Sequence, residues 1–186
     1  MNEREQNILN AAVRVFSRYG VKRTTMADLA AEAGISRQTL YKSFRNKDEV
    51  LRTHIRVFAA NAVQKVEAGI ATTKDLGSQL DLIFQETTIA GYDMMHSSPN
   101  SQELLEGMNI ATREELERVA VRFQRVIKKA FAPHAPALKE SGLTPTSLSD
   151  FVQRSARAAK GNAKNRKHLL QQLSTLKQLC LEAAKS

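Results

Sequence analysis

The sequence is poor in the residues that build disulfide frameworks, tight turns and membrane spans. It has one cysteine, four prolines and eight glycines among its 186 residues. The single Cys180 excludes an intramolecular disulfide. No run of 18 apolar residues occurs, so we expect no transmembrane helix. Charges interrupt residues 1–20 and predict an amphipathic helix there rather than a signal peptide, so the expected location is the cytoplasm.

Signals for β-strands are missing as well. No alternating run of apolar and polar residues is bounded by hairpin turns, and the few glycines and prolines fall where helical periodicity breaks. The apolar fraction of 42% and the charged fraction of 25% are ordinary for a globular protein. We therefore predict an all-α fold.

Residue patterns for catalysis or metal binding are not found either. One cysteine cannot build a thiolate site, and the histidines lack the HxxxH spacing of helical metal ligands. These histidines are His54, His96, His134 and His168. Glycine-rich phosphate loops and the nucleophile elbow are also missing. Glu114, Glu115 and Glu117 lie among arginines in a pattern typical of solvent-exposed ion pairs. The sequence therefore predicts no metal site, no cofactor and no enzymatic activity.

Residues 24–47 carry the clearest positive signal, with the sequence TTMADLAAEAGISRQTLYKSFRNK. Thr25, followed by Asp28, predicts a capping box at the start of a helix. Gly34 lies just past the last apolar position of that helix, where a left-handed residue is favoured. Ser36 then predicts the cap of a second helix. Two helices joined by a short glycine turn make a helix-turn-helix, which in DNA-binding proteins lays its second helix in the major groove.

The second helix of this motif has one apolar and one polar side. Leu40 and Phe44 are one turn apart and are predicted to face the core. Arg37 and Gln38 lie at the N-terminal end, the part of a recognition helix that reaches base edges. Arginine can bind guanine, and glutamine can bind adenine, through paired hydrogen bonds. The predicted DNA-binding residues are Thr25, Arg37, Gln38, Thr39, Tyr41, Lys42 and Lys47.

Two kinds of DNA contact are expected from this set. Arg37, Gln38 and Thr39 are assigned to bases. Tyr41, Lys42 and Lys47 suit phosphates, which position a protein without reading sequence. The free N–H groups of the first helix of the motif, which Thr25 opens, offer another phosphate site. The alternative is a solvated polar face on a small helical domain, but two caps and a glycine turn together favour DNA binding.

The N-terminal quarter of the chain resembles the N-terminal domain of the TetR/AcrR family of bacterial transcriptional regulators. The matching positions are Ile8, Leu9, Ala11, Ala12, Phe16, Gly20, Thr24, Thr25, Asp28, Ala30, Ala33, Gly34, Ser36, Leu40, Tyr41, Phe44 and Lys47. The resemblance implies a three-helix helix-turn-helix DNA-binding domain at 1–47. It also implies a larger helical-bundle domain for ligand binding and dimerisation at 48–186. Many members carry a small residue where this chain has Gln38, so the long amide indicates an additional base contact.

The net charge of +9 supports DNA binding only weakly, because most of the excess lies elsewhere. Residues 1–50 carry 9 basic and 6 acidic groups, residues 51–138 carry 10 of each, and residues 139–186 carry 9 and 3. A basic protein is attracted to DNA by counterion release. The C-terminal excess is interpreted as a solvated surface or as a secondary contact with phosphate or an acidic partner.

Helical periodicity predicts the rest of the chain. A first helix over 3–19 turns Tyr19 inward with its apolar stripe, and a helix from Asn46 runs toward Glu67 or Gly69. Two long helices follow at about 75–96 and 111–132, around a break at 97–101. Residues 133–142 are predicted to be a loop. Thr144 and Pro145 then open a helix that ends near Gly161, and a last helix covers about 165–184.

The last two helices carry apolar stripes that allow two interpretations. The final helix has leucines and Cys180 at heptad spacing. The preceding helix has an apolar stripe whose side chains become smaller toward the C-terminal end. In TetR-family proteins the last helices form the dimer interface, so these residues are assigned to it. They are Phe151, Val152, Ala156, Leu169, Leu173, Leu176 and Cys180. The alternative is an internal core, because every helical hairpin needs an apolar stripe.

A ligand pocket is predicted in the middle of the chain, also from the resemblance. Methionines adapt to irregular shapes and aromatic rings stack, so such residues can line an apolar cavity. The assigned residues are Phe84, Tyr92, Met95, Met108 and Phe123. The alternative is an ordinary core, and no specific ligand follows from the sequence.

These observations lead to one predicted function and one alternative. The chain is predicted to be a homodimeric repressor that binds a palindromic operator in double-stranded DNA and is released by a small apolar ligand. The alternative is an architectural or occupancy DNA-binding protein without a ligand.

Overall fold

The structure is a computed structural model that describes residues 1–96 and 110–185. Within these ranges all regular secondary structure is helical, which confirms the predicted all-α fold. The α-helices are α1 (Glu3–Arg23), α2 (Met26–Glu32), α3 (Arg37–Ser43), α4 (Lys47–Thr72), α5 (Leu76–Phe84), α6 (Ala90–His96), α7 (Ile110–Phe131), α8 (Ala135–Glu140), α9 (Pro145–Asn162) and α10 (Arg166–Ala183). A π-helical turn at Gln85–Ile89 joins α5 to α6, and a 3-10 turn at Ala132–His134 precedes α8. The predicted break at 97–101 lies outside the described residues.

The described residues form two compact units. The first contains Met1–Phe58 and the described part of Met94–Glu117; the second contains Ala59–Asp93 and the described part of Arg118–Ser186. The segment predicted to bind DNA, 1–47, lies within the first unit, and the boundary at 47/48 stays a prediction. In the part of the chain that the structure describes, no helix combines the length and apolar character needed to cross a bilayer.

The first unit is held together by an apolar core between α1, α2, α3 and the start of α4. Ile8, Leu29 and Leu40 are completely buried, and α2 packs against both α1 and α3. Burying one large aliphatic side chain stabilises a fold by roughly 1.5–3 kcal/mol. Exposed ion pairs contribute less than about 1 kcal/mol each. Apolar burial therefore determines the arrangement of these helices.

The end of α1 departs from its prediction. Gly20, with φ 78° and ψ 160°, kinks the helix at the residue predicted to close it, and the helix resumes as far as Arg23. The Thr24 hydroxyl donates to the Gly20 carbonyl at 2.7 Å. Tyr19 was predicted to face inward, which is wrong: its side chain is 47% exposed. The Arg18 guanidinium lies 5.8 Å from the centre of its ring.

The second unit has its own core, to which α5, α6, α7, α9 and α10 all contribute. Helix α10 packs against both α5 and α9, and α9 also packs against the π-helical turn. Within that turn Thr87 donates its hydroxyl to the Ile83 carbonyl at 2.7 Å, and Thr88 is buried. A single π-helical turn inside an α-helix frequently marks a functional site.

The predicted loop at 133–142 is partly wrong, because it contains helix α8. Pro136 lies in the first turn of that helix, where its missing N–H costs nothing. Leu138 is completely buried. Gly142, with φ 70°, follows the helix in the left-handed conformation. The predicted cap of the next helix is confirmed, since Thr144 forms a capping box with Ser147 and Pro145 is the first residue of α9.

The solvent-exposed ion pairing predicted for Glu115 is also wrong, because its ion pair is buried on the carboxylate side. Glu115 is 1% exposed, not solvated. Its carboxylate accepts two hydrogen bonds from Arg56 of α4, from Nη2 at 2.9 Å and from Nε at 3.3 Å. The local pattern of alternating charges missed this, because Arg56 is 59 residues away in the sequence.

We expect Arg56→Met to destabilise the protein by about 1–3 kcal/mol, because it removes the cation beside a buried carboxylate. The lower half of that range is expected, since the Arg56 side chain is 50% exposed. Urea denaturation measures the effect, and Arg56→Met combined with Glu115→Gln should recover part of it. Arg14→Met, which breaks the exposed pair with Glu32, is the matched control and should have a much smaller effect. Equal effects of the two arginine substitutions would contradict the prediction.

Candidate nucleic-acid interface

The start of α2 is fixed by a reciprocal cap. Thr25 accepts a hydrogen bond from the Asp28 N–H at 3.2 Å, and the Asp28 carboxylate accepts from the Thr25 N–H and hydroxyl, each at 2.7 Å. The Thr25 hydroxyl and N–H hold the pKa of Asp28 below its ordinary value. An ionised Asp28 repels phosphate at this helix end. Thr25 therefore serves to position α2, and the phosphate site predicted there is not favoured.

The turn between α2 and α3 is a Schellman motif centred on Gly34. Gly34 donates its N–H to the Ala31 carbonyl at 3.1 Å, and Ile35 donates to the Ala30 carbonyl at 3.0 Å. Gly34 has a φ of 65° and a Cβ there would meet nothing within 4 Å, so the left-handed backbone is what requires glycine. The sequence prediction of this turn is confirmed.

Helix α3 has only seven residues, and Ser36 caps it. The Thr39 N–H donates to the Ser36 hydroxyl at 3.1 Å, and the two hydroxyl oxygens lie 2.9 Å apart. Leu40 is completely buried and Phe44 is 5% exposed, so one side of the helix belongs to the core as predicted. This burial leaves the opposite side of α3 facing solvent.

Two of the three residues predicted to read bases are exposed, and the third is half-buried. Arg37 and Gln38, at the first turn of α3, are exposed. Thr39 is half-buried and its hydroxyl is engaged with Ser36. Arg37 and Gln38 therefore present free-standing polar ends to a partner, whereas Thr39 first stabilises the helix.

Of the residues predicted to contact phosphate, two are exposed and one is bound to the protein's own backbone. Tyr41 is 54% exposed, and Lys42 is exposed one turn after Gln38. Lys47 is different, because its ammonium group donates to the carbonyls of Lys22 and Thr24 at 2.9 and 2.8 Å. An ammonium group has three donors, so two of them are used to hold the end of α1 against the start of α4. The spacing in the sequence contained no signal for this contact.

Two further polar contacts hold the helix-turn-helix of α2 and α3 in place. Asn7 of α1 donates its amide to the Ala33 carbonyl at the end of α2 at 2.9 Å. Arg14 of α1 donates to Glu32 of α2 at 2.6 Å, and this hydrogen bond lowers the pKa of the Glu32 carboxyl. Both ties connect α1 to the C-terminal end of α2, immediately before the turn that positions α3.

Comparison with known proteins bears directly on this unit. Residues 8–53 match the family model described as bacterial regulatory proteins, tetR family. The uncharacterised transcriptional regulator TtgW of Pseudomonas putida is 32% identical over 100 residues, which cover 54% of this chain and 69% of TtgW. The chain belongs to the TetR family of transcriptional regulators.

Other similarities to this TetR-family chain are either shorter or structural only. TtgR of Pseudomonas putida is 44% identical over 50 residues, which span only 24% of TtgR and 27% of this chain. The fatty acid degradation regulator FadR of Bacillus halodurans has the same fold, with a TM-score of 0.73 at 16% identity over 97% of this chain and 96% of that one. The predicted TetR family is confirmed, and TtgW and TtgR are both described as transcriptional regulators.

The structure places most of the predicted dimer residues of this TetR-family chain inside the protomer. The buried ones, between 0% and 7% exposed, are Val152, Ala156, Leu169, Leu173, Leu176 and Cys180. Side chains that their own chain covers leave little surface for a second chain, so burial does not favour the assignment of these residues to a dimer interface, which stays a prediction. Burial also raises the pKa of the Cys180 thiol to about 11. Of the predicted set only Phe151, 56% exposed, is open to a partner.

The structure describes four of the five residues predicted to line a ligand pocket, and the pocket stays a prediction. Phe84 and Tyr92 are buried in the core of the second unit, and Phe123 of α7 is 8% exposed. Met95 is half-buried and belongs to the first unit. Met108 lies outside the described residues. The geometry of the described residues favours ordinary core packing for Phe84 and Tyr92.

Lys42 and Lys47 differ in their contacts, so substituting each of them gives a matched pair of predictions. Lys47→Met should destabilise the protein by about 1–2 kcal/mol in urea denaturation, because two hydrogen bonds from the ammonium group to backbone carbonyls are lost. Lys42→Met should leave stability within about 0.5 kcal/mol, because Lys42 is exposed. On DNA, Lys42→Met should reduce the salt dependence of binding by about one phosphate contact. Equal stability for the two variants would remove the positioning role of Lys47.

Proposed function

We propose that this regulator is a homodimeric repressor that binds a palindromic operator and is released by a small ligand with an apolar body. The observation that carries the DNA-binding part is the exposure of Arg37 and Gln38 at the start of α3, on a turn held by Gly34. The N-terminal end of a recognition helix is the part that reaches base edges in the major groove.

The chemistry of these two side chains indicates what they read. The guanidinium of Arg37 can donate two hydrogen bonds to guanine, and the amide of Gln38 can pair with the donor and acceptor of adenine. A good pair of this kind is worth about 1–3 kcal/mol of discrimination against the wrong base. Lys42 and Tyr41, farther along α3, would bind phosphates and fix the register of the helix.

Dimerisation is supported by the apolar side chains that the last two helices leave exposed. Phe151 of α9 is 56% exposed, and on α10 Leu179 is 60% and Leu170 is 37% exposed. These three residues replace the buried seam as the proposed contact surface. Two recognition helices related by a two-fold axis would read two inverted half-sites, which is why a palindrome is expected.

Release by a ligand requires that the ligand prefer the form of the protein that does not bind DNA. A ligand shifts such an equilibrium only by its difference in affinity for the two forms. By linkage, operator DNA must lower the affinity for the ligand by the same factor. The competing function is a ligand-independent architectural protein, which the burial of Phe84 and Tyr92 in the core favours.

Selection of binding sites from random DNA at about 150 mM salt tests the base contacts. We expect one short inverted repeat, and we expect Arg37→Ala with Gln38→Ala to lose it because both base readers are removed. Lys42→Ala is the control: it should weaken binding to all sequences alike and retain the same repeat. Salt-sensitive binding without any enriched sequence, unchanged in the double variant, would favour the architectural function and reject the base contacts.

The proposed dimer surface is tested by placing a charge on it. Phe151→Glu and, separately, Leu179→Glu should convert the dimer to a monomer in sedimentation velocity, because each buries an unpaired carboxylate in the interface. Val121→Glu on α7 is the matched control, since Val121 is an apolar residue that is 46% exposed on another helix. A dimer that survives both substitutions would place the interface elsewhere.

A further inference from the structure

Lys160 is a cation of the second unit that lies beside the backbone of another helix. It lies in the last turn of α9 and is half-buried. A Cβ at Gly91, in the first turn of α6, would lie 3.5 Å from its Nζ atom. Because Gly91 has no side chain, the ammonium group lies directly beside the backbone of α6.

Among the described residues, no acidic side chain pairs with this ammonium group. Within residues 1–96 and 110–185, Lys160 makes no hydrogen bond and no ion pair. The acidic side chains of the π-helical turn and of α6 already have cationic partners. Glu86 of the π-helical turn binds Lys65 at 3.1 Å, and Asp93 of α6 binds Arg166 of α10 at 2.8 and 3.1 Å.

Neither His168 of α10 nor Arg157 of α9 supplies a negative charge. On α10, the His168 ring accepts from the Lys164 N–H at 3.1 Å and lies 3.0 Å from the Gln172 amide. On α9 itself the charge that acts on Lys160 is Arg157, another cation. Burial first, and Arg157 second, lower the pKa of Lys160. A partly buried charge without a partner is costly, so the chain holds a cation that no acidic side chain of the described residues stabilises.

The surroundings of Lys160 attract anions and are apolar on one side. Residues 151–168 contain six basic residues and no acidic one: Arg154, Arg157, Lys160, Lys164, Arg166 and Lys167. Such a segment concentrates negative ligands near it. On the same helix Ala156 and Ala159 pack in the core that contains Tyr92. The charge of Lys160 therefore lies at the edge of an apolar region.

We infer that Lys160, beside Gly91, binds the anionic head of a ligand whose body is apolar. The head would be a carboxylate or a phosphate monoester, since both can accept hydrogen bonds from an ammonium group. This inference rests on the proposed ligand response and narrows it from an apolar ligand to an amphipathic anion.

Calorimetric titration with three ten-carbon probes tests the site on the full chain. Decanoate and decyl phosphate carry the two anionic heads, and decanol is the neutral reference. We expect the wild-type protein to bind at least one anion about tenfold more tightly than decanol, since a hydrogen bond to a charged group is worth about that factor. The stronger of the two anions identifies the head. Equal binding of all three probes, or binding of none, would overturn the inference.

Lys160→Met should remove the preference for anions while leaving decanol binding unchanged, and Lys160→Gln is a second neutral variant. Lys164→Met, at an exposed position of the same basic segment, is the control and should keep the preference. Without any probe Lys160→Met should melt at a higher temperature, because an unpaired buried cation is removed. A lower melting temperature, or an equal loss of affinity for all three probes, would make Lys160 a structural residue and reject the site.

The pH dependence of the anion preference shows whether the preference depends on the charge of Lys160 or on the shape of its side chain. As pH rises through the lowered pKa of Lys160, the ammonium group loses its proton, so the preference for anions should fall in the wild-type protein. Lys160→Arg keeps its charge at that pH and should keep the preference. A preference that does not change with pH in the wild type would contradict the assignment.

Operator binding distinguishes this inference from the proposed function. Lys160→Met should bind the selected inverted repeat as tightly as the wild type when no probe is present. If anions bind with the expected preference but do not weaken operator binding, the site stands and ligand release fails. If operator binding is intact but no anion preference exists, the inference fails and the DNA-binding proposal stands.

Discussion

The left-handed backbone at Gly34 is the constraint on which the presentation of the recognition helix depends. The chain must reverse between α2 and α3 within a few residues, and both helices must keep an apolar side in one core. The two hydrogen bonds of the Schellman motif satisfy the last carbonyls of α2 and set the direction in which α3 leaves. Once Leu40 is buried, Arg37 and Gln38 have to face solvent.

Polar contacts from α1 and α4 make that arrangement rigid. Asn7 binds the C-terminal end of α2, and Lys47 binds the carbonyls of Lys22 in the last turn of α1 and of Thr24 just after it. These ties act on backbone groups that would otherwise lack partners at helix ends. A helix as short as α3 is marginal on its own, so its stability comes from the unit that surrounds it.

The second unit leaves some apolar side chains exposed and holds one lysine partly buried. The leucines at heptad spacing on α10 pack in the chain's own core. The large apolar side chains that the last two helices expose are Phe151, Leu170 and Leu179. Lys160 is the reverse case, a charge placed beside a glycine without an acidic partner among the described residues. Features that a protein does not need for its own stability are reasonable places to expect a partner.

The sequence by itself determined the features that depend on neighbours three to five positions apart. The capping boxes at Thr25 and Thr144, the glycine turn at Gly34 and the buried side of α3 all follow from local hydrogen bonds and helical periodicity. The similarity of the N-terminal segment to the TetR family rests on the same local pattern. Predictions of this kind were confirmed.

Only the tertiary structure decided which distant residues meet. Glu115 was expected in solvent and is buried against Arg56, and Lys47 was expected on phosphate and binds carbonyls of Lys22 and Thr24. A heptad stripe likewise shows that a helix buries one side, but not whether the covering surface belongs to the same chain. The physical reason is that these contacts join residues far apart in the sequence, and their free energy depends on how whole helices pack.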